Sequence, residues 1–278
     1  MVKKLLKHEF VYYFRTLGMF LPIVLVVGII TRVFSFLDSI NNNENLSIIT
    51  NMALSSSSLI LFVSCVAILL LASIISIVRF YKNMYSSEGY LTFTLPVTNK
   101  QHIFVKLFSS VVFQAICVAF VIAALLIAFF GQSSGNVDYN DPSYSMTKEF
   151  IEMCGIANII GWIIEFVVLI IIAPVYSTLL DYACITIGQT AKKNRILMAV
   201  VTYFVYYVIT QCIGTVLSIM VTVLGITGAL DGLGIWLVNN FAIAIHIFLC
   251  ASIVVTAIIS AVFWFVTQKI MTQKLNLE

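Results

Sequence analysis

The chain has 278 residues, 61% of them hydrophobic and only 10% charged, with a mean hydropathy of +1.07. A soluble domain is nearer half apolar and a quarter charged. The composition therefore excludes a soluble enzyme and predicts an all-α integral membrane protein, read as a single transmembrane domain over residues 1–278. A formal charge of +3 is too small for nucleic-acid binding, so the expected surroundings are the lipid bilayer and no nucleic acid.

Residues 1–16 predict an amphipathic helix. Val2, Leu5, Leu6, Phe10, Tyr13, Phe14 and Leu17 recur at helical spacing, and Lys3, Lys4, Lys7, His8, Val11 and Arg15 take most of the other face. Such a basic helix lies along a membrane surface, either as a topology anchor or as a lever for a cytoplasmic partner.

A helix needs roughly 20 apolar residues to cross the hydrocarbon core. Six stretches qualify, at about 17–37, 54–78, 106–130, 156–182, 196–226 and 237–267. The first is too long for a signal-peptide core and has no small-residue cleavage site after it, so it is expected to be retained. The serines at 55–58, with Ser73 and Ser76, read as close helix-packing positions.

The connection 79–105 is too long for a turn and too apolar for a solvated loop. Tyr81 and Tyr85 stand four residues apart, and Tyr90, Leu91, Phe93 and Leu95 follow. Gly89 breaks a helix and Pro96 stops what precedes it. Thr98 with Gln101 forms a capping box, predicting a helix from Asn99 to Phe130 of about 48 Å. Its first turns would stand outside a core of about 30 Å. Apolar side chains there suit a protein partner or an interfacial aromatic belt.

The connection 131–155 is rich in Asn, Ser, Gly and Asp, as is 41–43 in Asn. Asp141-Pro142 caps and starts a short helix there. Within the fourth span, Glu165 lies roughly 15 Å from one end. A carboxylate at that depth costs about 2.5–3.5 kcal/mol, so it should face the bundle or a wet cavity. It is either a polar point on a transport pathway or a carboxyl bonded to a neighbouring helix. Pro174 is expected to kink this span, Asp181 to be solvated or paired near its end, and Arg32 to snorkel from the first span. The stretch 225–236 is glycine-rich and short enough to dip towards the membrane.

All Lys and Arg residues except Arg32 and Lys148 fall on the side of the N-terminus, the second and fourth connections and the tail. The positive-inside rule then places both termini in the cytoplasm. The six cysteines stand singly, with no CxxC pair and no zinc-ligand spacing, and read as small buried hydrophobes. No metal site is expected.

The run Tyr85-x-x-Glu88-Gly89-Tyr90-Leu91-Thr92-Phe93-Thr94-Leu95-Pro96-Val97-Thr98, with Lys106 soon after, resembles the cytoplasmic segment of ABC-2 type transporter permeases. In that family the segment lies between the second and third spans, and its coupling helix docks on the ATPase subunit. A second echo is Tyr182-Ala183-Cys184-Ile185-Thr186-Ile187-Gly188-Gln189 before Lys192, Lys193 and Arg195, like the Gly-Gln and basic cluster ending the fourth span of small bacterial permeases. Many members carry a re-entrant helical pair before the last span, for which 225–236 is too short.

The resemblance implies the permease subunit of an exporter in a bacterial cytoplasmic membrane, paired with a second permease chain, the same or related. Its ATPase-coupling residues would be Tyr85, Glu88, Gly89, Tyr90, Leu95 and Pro96, its transport-pathway residue Glu165, and its cargo a hydrophobic or amphipathic peptide, drug or lipid. The chain has no GxxxxGK[ST] loop, HExxH or GxSxG motif. It is therefore not expected to be an enzyme or to hold a cofactor; ATP and Mg would sit in a partner ATP-binding cassette subunit. His8, His102 and His246 fall at distant points of the layout, and no cluster of ionisable residues at one depth is visible. The alternatives are an ion-gradient-driven transporter using Glu165 and a non-transporting membrane partner of an ATPase.

Overall fold

The computed structural model describes residues 2–40, 44–86, 89, 98–129, 142–191 and 193–273. These are helical almost throughout, with no strand among them. They group into two compact units, Met1–Met84 with Leu91–Asp141, and Tyr85–Tyr90 with Pro142–Glu278.

The first unit holds α1 (Val2–Leu17), α2 (Leu21–Ile40), nearly all of α3 (Glu44–Tyr85) and α4 (Asn99–Phe129). Its core joins Tyr13 and Leu17 of α1, Leu21 and Val24 of α2, Leu61, Cys65 and Ile68 of α3, and Phe113 and Cys117 of α4. Some polar side chains inside this unit are matched across helices. Thr31 Oγ1 donates to the carbonyls of Val27 (3.0 Å) and Ser57 (3.4 Å), and the Ser76 and Ser110 hydroxyls meet at 2.6 Å. Without a hydrophobic drive between helices in lipid, such close packing and hydrogen bonding hold spans together. Ser57 and Ser76 are buried packing positions as expected, whereas Ser55 and Ser56 are exposed and Ser58 half-buried, and all three bond back to their own helix.

The second unit holds α5 (Pro142–Cys154), α6 (Ile156–Gly188), α7 (Arg195–Ile226), α8 (Asp231–Asn239) and α9 (Phe241–Gln273). α6 is the centre, packed on both α9 and α7. α7 has no buried residue. Its hydroxyls at Thr202, Thr210, Thr215 and Thr222 bond back to carbonyls four residues earlier, so the face can meet lipid with its polar groups satisfied.

Helices α2, α3, α4, α6, α7 and α9 are long and apolar enough to cross a membrane, and they match the six expected spans. α3 runs for 42 residues, about 63 Å, well beyond its apolar centre. α4 starts where the capping box predicts: the Thr98 backbone N–H donates to Gln101 Oε1 at 3.2 Å. α6 continues through Pro174. The last span differs from expectation at its start. α8 ends at Asn239, and Asn240 leaves helical geometry (φ −123, ψ 39) while its Nδ2 donates to the Trp236 carbonyl at 3.1 Å. That break separates a nine-residue helix from α9, which begins at Phe241.

Candidate functional site

Two polar clusters stand out in this apolar molecule, one in each unit. In the first unit Leu5, Glu9, Tyr13 and Leu17 follow one another at four-residue steps, so the only acid of α1 stands in its apolar line. Glu9 is 3% exposed. Its Oε2 accepts from Arg79 Nε at 3.0 Å, and its Oε1 accepts from Lys106 Nζ at 3.0 Å and Asn83 Nδ2 at 3.1 Å. Arg79 also lies over the Tyr12 ring, 3.9 Å from its centroid. Burial pushes the Glu9 carboxyl up, but the charges of Lys106 and Arg79 and their hydrogen bonds outweigh it and hold it below the usual carboxylate range. Beside it Tyr13 stacks on Phe113 with centroids 5.4 Å apart. Burial pushes the Tyr13 hydroxyl up to about 12, opposed by hydrogen bonds to Ser76 and Ser110.

The cluster adds a charged member to the inward side of the helix expected over residues 1–16. Phe14, assigned to the apolar face, is 71% exposed, while Glu9 lies inside with Tyr13 and Leu17. The physical reason is that the buried face meets Arg79, Asn83 and Lys106 of α3 and α4 rather than hydrocarbon alone. Sequence reasoning took Arg79 and Lys106 as markers of sidedness and passed over Glu9. The signal was there: a lone acid at the apolar spacing of an otherwise basic helix.

Of the predicted coupling residues, Tyr85 and Gly89 are described; Glu88, Tyr90, Leu95 and Pro96 lie outside the described residues. The Gly89 N–H donates to the Ser86 carbonyl at 2.7 Å, and Gly89 is buried. Tyr85 donates its hydroxyl to Thr186 Oγ1 at 2.9 Å, and Thr186 donates to the Tyr182 carbonyl at 2.6 Å. Tyr85 and Thr186, one from each stretch that carries the family resemblance, thus meet within the second unit. Gly188, in the second stretch, is required by space: a Cβ there would lie 2.5 Å from the Ala199 backbone nitrogen. α6 and α7 cross too closely there for a side chain.

Glu165 is bonded to a residue the sequence left elsewhere. His246 Nδ1 lies 2.7 Å from Glu165 Oε1, within hydrogen-bond distance, and the Cys250 thiol points to the same oxygen at 3.6 Å. Gly161 makes room for the imidazole, since a Cβ there would stand 2.7 Å from His246 Cε1. Trp162 packs on the other side, its ring centroid 5.9 Å from that of His246. The histidines are therefore not all remote from the acids, and an ionisable cluster does exist between two spans. Its members come from α6 and α9, 81 residues apart in sequence, so no local motif announces it. Four of the cysteines are buried as expected, whereas Cys212 and Cys250 are exposed. Asp181 is half-buried, next to buried Leu180 and Tyr182.

Chemically, the first cluster is a salt-bridged clamp and the second an acid–base pair within an apolar helix bundle. Among the described residues, no group of three or more His, Cys, Asp or Glu side chains is arranged to hold a metal ion. No family model matches the sequence, and no curated protein or solved structure matches it either.

Proposed function

We propose that this chain is the membrane-spanning permease subunit of an ATP-driven exporter of the ABC-2 type. One observation supports the coupling part of this reading above the others: Glu9 ties α1 to the last turns of α3 and the first turns of α4. The segment that resembles the ATPase-docking region lies in sequence between those two helix ends. Separating buried charges of this kind costs several kcal/mol, so a push on the segment would move α1, α3 and α4 together. ATP-driven closure of the partner would shift the spans between two arrangements through its different contacts with each. On this reading both termini and the docking segment face the cytoplasm, a second permease chain completes the pathway, and the cargo is hydrophobic or amphipathic. The resemblance implies a bacterial cytoplasmic membrane, and the lack of a P-loop puts ATP and Mg in the separate ATPase.

The test is purification of the tagged chain in mild detergent, followed by an ATPase assay, for wild type, Glu88→Arg and Leu95→Asp. Co-purifying ATPase activity that both substitutions remove is the expected result. A wild-type chain that brings down no nucleotide-binding subunit overturns the reading. The Glu165–His246 bond favours one second reading, transport driven by an ion gradient with Glu165 as the coupling carboxylate. Cargo transport that follows the proton gradient without ATP, and is lost in Glu165→Gln, would decide for it.

A further inference from the structure

The bond between Glu165 and His246 leaves two polar atoms beside it unused. Glu165 Oε2 and Trp162 Nε1 are buried, and neither has a hydrogen-bond partner. They belong to residues three apart, on one face of α6. Asn158 is four residues before Trp162 on that face. Along α9, Ile243, His246 and Cys250 recur at steps of three or four. The two rows begin at a cavity of about 210 Å³ whose lining includes Cys154, Asn158, Asn239, Asn240, Phe241 and Ile243. Asn158 is about 10 Å along its helix from Glu165, and Asn240 about 9 Å from His246. Asn158, Trp162 and Glu165 thus run along α6 from that cavity to a carboxyl group with an unfilled acceptor.

The missing partners define what fits. Liquid water takes about 30 Å³ per molecule, so the cavity has room for several waters. The carboxylate oxygen needs a donor, and a positive charge serves it best in an apolar bundle. The Trp162 ring, which also meets Phe150 at 6.3 Å, offers the face that attracts a quaternary or protonated amine. An anion would meet Glu165 and be repelled. We propose that these faces of α6 and α9 form a binding site for an organic ammonium ion, approached from the asparagine-lined cavity and ending on Glu165. As the cargo's head group, the ammonium ion rests on the permease reading; as a ligand of this site, it does not.

Cys250 is a native reporter at the end of the row. The full chain, with its other cysteines replaced by alanine, is reconstituted in phosphatidylcholine vesicles. It is then treated with a trimethylammonium-ethyl thiosulfonate and, separately, with the sulfonate-bearing analogue. Each rate is divided by that of the same reagent with a free thiol in water. The ammonium reagent is expected to label Cys250 about tenfold faster, equivalent to about 1.4 kcal/mol of charge preference. In Glu165→Gln the two normalised rates should become equal. In His246→Asn, which keeps the carboxylate, the preference should persist. Equal rates in the starting chain overturn the proposal, and so does loss of preference in His246→Asn. Labelling by N-ethylmaleimide alone also overturns it, because it places Cys250 in lipid. The measurement contains no ATPase, so its failure and that of the permease reading are separately visible.

Discussion

Removing the charge of Glu9 tests whether the cluster around it clamps α1 to the bundle. In Glu9→Gln the side chain keeps its shape and one acceptor oxygen, but Lys106, 2% exposed, loses its counter-charge. Arg79, at 12% exposed, loses less because it reaches the edge of the cluster and keeps the Tyr12 ring. Breaking a buried pair from one side costs about 3–5 kcal/mol, and the retained acceptor puts this substitution at the lower end. The α1 helix carries Arg15, exposed and next to Thr16, so its release is read by the rate of tryptic cleavage after Arg15 in detergent. When opening is fast relative to cleavage, that rate follows the opening equilibrium, and 3 kcal/mol corresponds to roughly a hundredfold increase. Adding Lys106→Met removes the charge that has lost the Glu9 carboxylate and should recover much of the loss, so the two substitutions are strongly non-additive. A Glu9→Gln chain cleaved within about twofold of wild type, about 0.5 kcal/mol, would refute the clamp. So would two single effects that simply add.

The pH dependence follows from the same residue. Its folded value is depressed, so it stabilises the structure above the ordinary carboxylate value and that contribution is lost as pH falls below about 4.3; α1 release should rise there in wild type and lose this component in Glu9→Gln. Gly188→Val should abolish folding, judged by size-exclusion recovery, because its side chain meets the Ala199 backbone. Gly214→Ala should be neutral or stabilising by up to about 1 kcal/mol, because nothing lies within 4 Å of the added methyl. A thermal midpoint that falls for Gly214→Ala would contradict this. Tyr85→Phe removes the bond to Thr186 and should cost about 0.5–1.5 kcal/mol in the same assay; an unchanged midpoint would show that the bond carries no weight.

The spans were legible because hydrophobic length is a local property: each of the six needs only its own residues to satisfy its backbone in lipid. The start of α4 was legible for the same reason, since Thr98 and Gln101 cap each other within one turn. Partners across helices were not, as His246 shows. It is one of three histidines scattered along the chain, and only the packing of α9 on α6 brings it to Glu165. Glu9 was hidden differently. In a helix otherwise basic, an acid is easily counted as a small offset to the charge, although its position relative to Tyr13 and Leu17 places it inward. Charge counting answers which side of the membrane a segment prefers, whereas spacing answers which residue must find a partner. A buried charge in a lipid-facing protein has few ways to be satisfied. An acid at apolar spacing therefore predicts a cationic partner on a neighbouring helix, and here Arg79 and Lys106 provide it from α3 and α4.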